Sequence, residues 1–370
     1  MKKVIFFVKH ETVLSVACLL AVLSCLFVHP SKAYIGYINF SVLSLLFCLM
    51  TTVAGMVSVG AFDVLSHKLL SGIKRFRTMA GLLILLCFFM SMFLTNDVTL
   101  ITVVPFTIMM ITLTGMQRNT ISLLVFETIA ANLGSMLTPF GNPQNLYLYT
   151  QFDVSLPAFL KIMFPFSFAA LVLLLVNILT MQDQKLEMKI KGDPKISDRK
   201  KLLIYLLLFI LAILTVARIL DYRILLLVTI LTIMIMDRRL FLNVDYSLLL
   251  TFVFFFVFVG NMGKMKVVSD ALQVLVSGRV LLISVLASQF ISNVPAAILL
   301  SGFTTDYKAL MIGTNLGGLG TLIASMASLI SYKFYAEEFN DSKGRYIAVF
   351  SFWNMIYLVI LFLLTFCAEV

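Results

Sequence analysis

FLTNDVTLITVVPF, residues 93–106, puts a carboxylate into a run that is otherwise apolar. Apart from Asp97 no charged residue occurs from Thr78 to Gln117. A lone carboxylate at membrane depth costs at least about 2.5 kcal/mol. A crossing helix needs about 20 apolar residues, and the runs 78–94 and 98–114 are each too short. They are separated only by Thr95-Asn96-Asp97. Two half-length helices meeting at a polar tripeptide read as a re-entrant hairpin, 78–114, whose tip backbone must face protein or a water-filled cavity.

The rest of the chain has the composition this reading needs. Of 370 residues, 61% are hydrophobic and 12% charged, which excludes a soluble domain and fits a multi-span membrane protein. The formal charge of +10 does not point to nucleic acid, because the basic residues sit in short loops between apolar runs. The five cysteines have no metal-ligand spacing. Residues 1–33, opening Met-Lys-Lys before a long apolar run, read as an uncleaved first span rather than a secretory signal.

A second pair of short runs, 279–291 and 295–304, flanks Ser292-Asn293-Val294 and reads as another hairpin, 279–304. The expected fold is therefore an all-α polytopic membrane protein with about nine full crossings plus two hairpins. Most of the basic residues fall on one side if the N-terminus is cytoplasmic, with Arg75 and Arg77 before the first hairpin and Arg118 after it. Residues 181–201, the one long hydrophilic stretch, read as a cytoplasmic basic linker.

The linker divides two related halves. NLGSMLTPFGNPQN from Asn132 and NLGGLGTLIASMAS from Asn315 share one register: Asn132 pairs with Asn315, Gly134 with Gly317, Thr138 with Thr321 and Gly141 with Ala324. Each follows a polar-tipped hairpin, and each hairpin follows a mixed segment, 61–72 or 261–278, that reads as a helix on the membrane surface. The expected organisation is a first repeat at 1–180, the linker, a connecting span at 202–218 and a second repeat at 219–370. An odd connecting span inverts the second repeat, so the first hairpin opens inward and the second outward. Inverted repeats with broken helices are the architecture of secondary transporters, with the site near the midplane.

Helix breaks free backbone amides and carbonyls to act as ligands. Asn96 and Asn293, able to donate and accept at the two tips, are the foremost candidates, with Thr95 and Ser292 adding hydroxyl oxygens. The first broken segment, with Asn132, Gly134, Thr138, Pro139, Gly141, Asn142, Pro143 and Asn145, cannot be helical throughout. Its counterpart offers Asn315, Gly317, Gly318, Thr321, Ser325 and Ser328. Asn96, Asp97 and Asn293 form a candidate Na⁺ site. Asp97 is expected to carry a coupling cation or proton. Glu127 is either a second proton carrier or a structural partner for a backbone group.

The pattern Asn-x-Gly-x-x-x-Thr-x-x-Gly-x-Pro-x-Asn, after a Thr-Asn-Asp hairpin, resembles the ion transporter superfamily. That group includes arsenite permeases, related Na⁺/H⁺ antiporters, citrate transporters and divalent-anion/sodium symporters. SNVPAAILL at 292–300 is similar to the second hairpin of the arsenite and anion permeases. The resemblance covers residues 12–366 and implies alternating access, with substrate and coupling ions held by the tip asparagines and unwound segments. The dicarboxylate symporters carry Ser-Asn-Thr at both tips, whereas this chain has Thr-Asn-Asp and Ser-Asn-Val, and tip acids are closer to the arsenite and antiporter branches.

The expectation is thus a small-anion transporter of the arsenite, citrate or dicarboxylate class in the cytoplasmic membrane, coupled to Na⁺ or H⁺ and using no other cofactor. Its first spans could form a homodimeric scaffold. The alternatives are Na⁺/H⁺ exchange without an anion and, more distantly, a membrane-embedded enzyme. The chain has neither paired catalytic aspartates nor His-Glu-x-x-His, so no enzymatic activity is expected.

Overall fold

The computed structural model describes residues 11–70, 73–114, 116–185, 195–339 and 342–367. The N-terminal lysines and the middle of the linker lie outside the described residues. Everything regular among the described residues is helical. The first half comprises α1 (Thr12–Cys25), α2 (Phe40–Ser58), α3 (Ala61–Leu70), α4 (Phe76–Ser91), α5 (Asn96–Thr114), α6 (Thr120–Ser135), α7 (Pro143–Gln151) and α8 (Leu156–Thr180). Next come α9 (Arg199–Val216), α10 (Tyr222–Met236), α11 (Tyr246–Lys264), α12 (Lys266–Val276), α13 (Val280–Ile291) and α14 (Asn293–Ser301). The last three are α15 (Tyr307–Leu316), α16 (Met326–Glu338) and α17 (Lys343–Cys367).

Local chemistry sets these boundaries. Asn39, Asn142, Asp198, Asp221, Asp245 and Asp306 each accept a backbone N–H of the helix they precede, satisfying donors a free helix end would strand. Gly278 has φ +68°, which a residue without Cβ adopts freely, and α12 and α13 diverge there by 109°. The surface segment expected at 261–278 is therefore shorter at its start, since α11 continues to Lys264.

Among the described residues, four helices are long and apolar enough to cross a bilayer alone: Phe40–Ser58, Leu156–Thr180, Tyr246–Lys264 and Lys343–Phe366. Large apolar side chains face outward along them and their neighbours, such as Leu179 on α8, Ile235 on α10 and Phe366 on α17. An outer surface of this kind is stable against hydrocarbon and aggregates in water. The protein is a multi-pass membrane protein.

Helices α4–α7 and α13–α16 form a central group, in which α4 packs on α6 and α13 on α15. Helices α1, α2, α9, α10 and α11 pack with one another beside it. The end of α2, the start of α4 and both ends of the linker share one face. The Ser197 N–H donates to Val59 O, the Phe76 N–H to Gln184 O, and Arg75 pairs with Asp183 at 2.7 Å.

Candidate functional site

Both short helix pairs turn where the polar tripeptides stand. In the first, α4 ends at Ser91 and α5 begins at Asn96, whose N–H donates to Gly141 O at 3.1 Å. In the second, Ser292 takes φ +71° between α13 and α14, an unusual backbone for a residue with a side chain. Its hydroxyl donates to Asn293 Oδ1 and to Ala324 O, both at 3.4 Å. Gly141 and Ala324 are partners in the sequence repeat, so each tip touches the same place in its following segment.

Those segments are broken, as expected. α6 stops at Ser135 and α7 starts at Pro143; α15 stops at Leu316 and α16 starts at Met326. The breaks fall after Asn132 and Asn315, which remain within the last turn of their helices. Pro139 is buried within the first break. Thr138 donates its hydroxyl to Met92 O, and Thr321 donates to Gln289 O at 3.1 Å. The shift that pairs Asn96 with Asn293 also pairs Met92 with Gln289. Gly134 and Gly317 lie where a Cβ would fall 2.6 Å from the hydroxyl oxygens of Ser91 and Ser288, another matched pair. Glycine is required at both, because α6 and α15 lie almost against the preceding arm.

At the centre the two halves exchange side chains. Asn132 Oδ1 accepts from Asn96 Nδ2 at 2.9 Å and from Ser325 Oγ at 3.0 Å, while Asn132 Nδ2 donates to Ser328 Oγ at 3.3 Å. Asn315 Oδ1 accepts from Asn142 Nδ2 at 3.3 Å, and Asn315 Nδ2 donates to Asn145 Oδ1 at 2.6 Å. The register that pairs Asn132 with Asn315 pairs Asn142 with Ser325 and Asn145 with Ser328. Each asparagine is thus held by the corresponding two residues of the other half. All six side chains are buried. Asn145 also donates to Met136 O and Thr138 O, and Asn142 to Ser135 Oγ, tying the free carbonyls of the break.

Residues 4–306 match the CitMHS family, described as citrate transporters. The chain belongs to that family. It is 34% identical over 319 residues to Uncharacterized transporter MJ0456 of Methanocaldococcus jannaschii, covering 85% of this chain and 86% of that one. It is 30% identical over 305 residues to Inner membrane protein YbiR of Escherichia coli, covering 82% of each. A shorter likeness, 31% over 152 residues, reaches the mouse P protein across 39% of this chain and 18% of that one. This CitMHS member is a membrane transporter.

Not every expected site residue joins the central network. Thr95 and Asp97, with Asn142 and Pro143, line a cavity of about 320 Å³ between the first hairpin and helices α2 and α11. Among the described residues no Lys, Arg or His lines it. No described side chain hydrogen-bonds or ion-pairs with the Asp97 carboxylate; its place in the first turn of α5 gives it a helix N-terminus instead. Asn293 lies beside the second break, its Nδ2 being 3.0 Å from where a Cβ of Gly318 would stand. Glu127 stands apart. Fully buried on α6, it accepts from Thr107 Oγ1 at 2.7 Å through Oε1, and its Oε2 has no hydrogen-bond partner among the described residues.

Two residues that the structure places beside these segments and the cavity carry no mark of their own in the sequence. Gln289 clamps the second break: its Nε2 donates to Gly317 O and Leu319 O at 2.9 Å, and its Oε1 accepts the Thr321 N–H at 2.9 Å. The repeat register pairs it with Met92, so a glutamine opposite a methionine was the available signal. Asp245, which caps α11, is exposed at the mouth of the cavity holding Asp97. Although the residue is exposed, partial desolvation of its carboxyl pushes it above the usual range, opposed by the Leu248 N–H and aided by the charge of Glu11.

Proposed function

We propose that this CitMHS member is a secondary active transporter that moves a small anion of the citrate, dicarboxylate or arsenite class across the cytoplasmic membrane by alternating access, coupled to Na⁺ or H⁺. The reciprocal asparagine network carries the reading. Two sequence-related broken segments meet side chain to side chain, each beside a polar hairpin tip, as in transporters whose midplane site lies between inverted repeats. On this reading the carboxamides and unwound carbonyls bind substrate. Asp97, which has no cationic partner among the described residues, binds the coupling ion. The family's description as citrate transporters supports a carboxylate cargo.

Proteoliposomes loaded against citrate, succinate, arsenite and sulfate under imposed Na⁺ and pH gradients test this. Asp97→Asn is expected to incorporate normally and lose gradient-driven accumulation. Accumulation equal to the unaltered protein would remove Asp97 from coupling.

A second reading is Na⁺/H⁺ exchange without an anion. The cavity at Asp97 favours it, because Asp97 and Asp245 both line that space and no basic residue is among the described residues that line it. A pH change driven by an Na⁺ gradient, with no anion supplied, selects exchange.

A further inference from the structure

A second cavity, of about 560 Å³, opens on the other side of the same seam. Three helices place it relative to the first. On α11, Leu248 lines the first cavity and Phe256 the second. Residue 252 falls between them on the same helical stripe, and Phe252 is fully buried. On α2 the second cavity reaches Ser41 and the first begins at Leu46. On α7, Leu146 faces the first and Tyr147 the second. At 1.5 Å per residue, the positions on α11 span about 12 Å and those on α2 about 8 Å. The two cavities are therefore stacked along the helices and separated by roughly two helical turns of packed side chains.

Tyr147 occupies that layer. Its ring centroid lies 6.1 Å from that of Phe252 and 5.6 Å from that of Phe256. Its hydroxyl is 2.7 Å from Ser301 Oγ at the end of α14, a buried bond from the first half to the second hairpin. We infer that the two cavities are the opposite vestibules of one permeation path for a small polar solute, and that Tyr147, locked by Ser301 and stacked against Phe252 and Phe256, is the barrier between them. The barrier joins the hairpin group to α11 through the Tyr147 ring against Phe252 and Phe256, so opening it requires those ring contacts to slide, while the Tyr147–Ser301 bond, inside the group, holds the ring in place. The inference rests on the transporter reading, but its test uses no substrate, so a wrong cargo leaves the result interpretable.

The test is thiol labelling in oriented vesicles, with the native cysteines replaced and a membrane-impermeant cationic methanethiosulfonate added on the side of the second cavity. Ser41→Cys should label rapidly. Leu248→Cys should label at least about tenfold more slowly, since an open minor state is at most about 10% populated. Adding Tyr147→Ala should bring Leu248→Cys close to the rate of Ser41→Cys, and Ser301→Ala should give an intermediate rate. Rapid labelling of Leu248→Cys with Tyr147 intact would overturn the barrier. Equal protection in the Tyr147→Ala and Ser301→Ala variants, with Ser41→Cys still reactive, would overturn the role of Tyr147. Ser301→Ala keeps the aromatic packing, so it reports even if Tyr147→Ala does not fold.

Discussion

Truncating Asn132 to Ala removes three hydrogen bonds at once: two accepted, from Asn96 and Ser325, and one donated, to Ser328. Inside membrane proteins such bonds average about 0.6 kcal/mol each, with a maximum near 1.7. The three together contribute about 2 kcal/mol, and the stranded Asn96 amide adds to the loss, so Asn132→Ala should destabilise by about 2–3 kcal/mol. The pairwise contribution is sharper. A double-mutant cycle of Asn132→Ala with Ser325→Ala should give a coupling of about 0.6–1 kcal/mol. The cycle of Asn315→Ala with Asn142→Ala should give the same sign, because Asn142 donates to Asn315 as Ser325 donates to Asn132. The Asn142 single variant should cost more than the Ser325 one, since Asn142 also caps α7 by accepting the Asn145 N–H at 3.0 Å. The assay is SDS-driven unfolding in mixed micelles, followed by fluorescence of Trp353, the single tryptophan, packed 5.0 Å from Phe126 on α6. Thr229, buried on α10, supplies a pairing with Asn132 that should show no coupling. Couplings below about 0.2 kcal/mol in both cycles would refute the reciprocal network as an energetic link between the halves.

Two further outcomes are expected. Gly134→Ala would place a Cβ 2.1 Å from the backbone oxygen of Phe88, so α6 must move off α4. Overpacking of this kind costs about 1–3 kcal/mol, and thermal unfolding should fall accordingly; Gly36→Ala, with nothing within 4 Å of its new methyl, should match the unaltered protein. Asp245→Asn keeps the cap, because an Asn Oδ1 can accept the Leu248 N–H that Asp245 accepts at 2.9 Å. Its folded carboxyl sits above the usual range, so the folded state binds the proton more tightly and the native protein loses stability as pH rises from the ordinary carboxylate range through the raised value. The Asn variant should therefore be at least as stable at neutral pH, with the difference closing in acid. A variant clearly less stable at neutral pH would contradict this.

How much was legible in advance depended on whether the signal was local. Thr95-Asn96-Asp97 and Ser292-Asn293 announced hairpin tips because a polar tripeptide between two half-length apolar runs has few other uses at membrane depth. The repeat register was legible as well, but not which residues would meet: that Ser325 and Ser328 bond Asn132 as Asn142 and Asn145 bond Asn315 emerges only from the packed halves. Gln289 was not legible. An amide in VLASQFISN gains its role only when the broken segment brings the carbonyls of Gly317 and Leu319 within reach and Gly320, at φ +103°, leaves room for Gln289 Oε1 where a Cβ would stand 2.3 Å away. Nothing in the sequence singles out Asp245, which as a helix cap has an ordinary role as well. Tyr147 and Phe252 look like any buried aromatics in sequence; their meaning comes from two cavities that only the packed helices define. The segment from Asn132 to Asn145 breaks, as its prolines and glycines imply, between Ser135 and Pro143, while Asn132 keeps its backbone in the helix and uses its side chain across the interface.

The distribution of polar bonds also says where motion is easiest. Within each half the hairpin and the broken helix are fastened: Thr138 to Met92 O, Asn96 N–H to Gly141 O, Thr321 and Gln289 to each other. Gly134 and Gly317 press them into near backbone contact. The halves are then fastened to one another through Asn132 and Asn315. Sliding within this group would break many buried bonds, each hard to replace where water is scarce. The boundary with α2 and α11 is different. It carries both cavities, and most of the side chains between them are apolar. Apolar faces exchange contacts without stranding a donor, so displacement along that boundary meets the least resistance. On the proposed reading the central group moves as one body against α2 and α11, and the Tyr147 layer is where that movement passes a solute from one vestibule to the other.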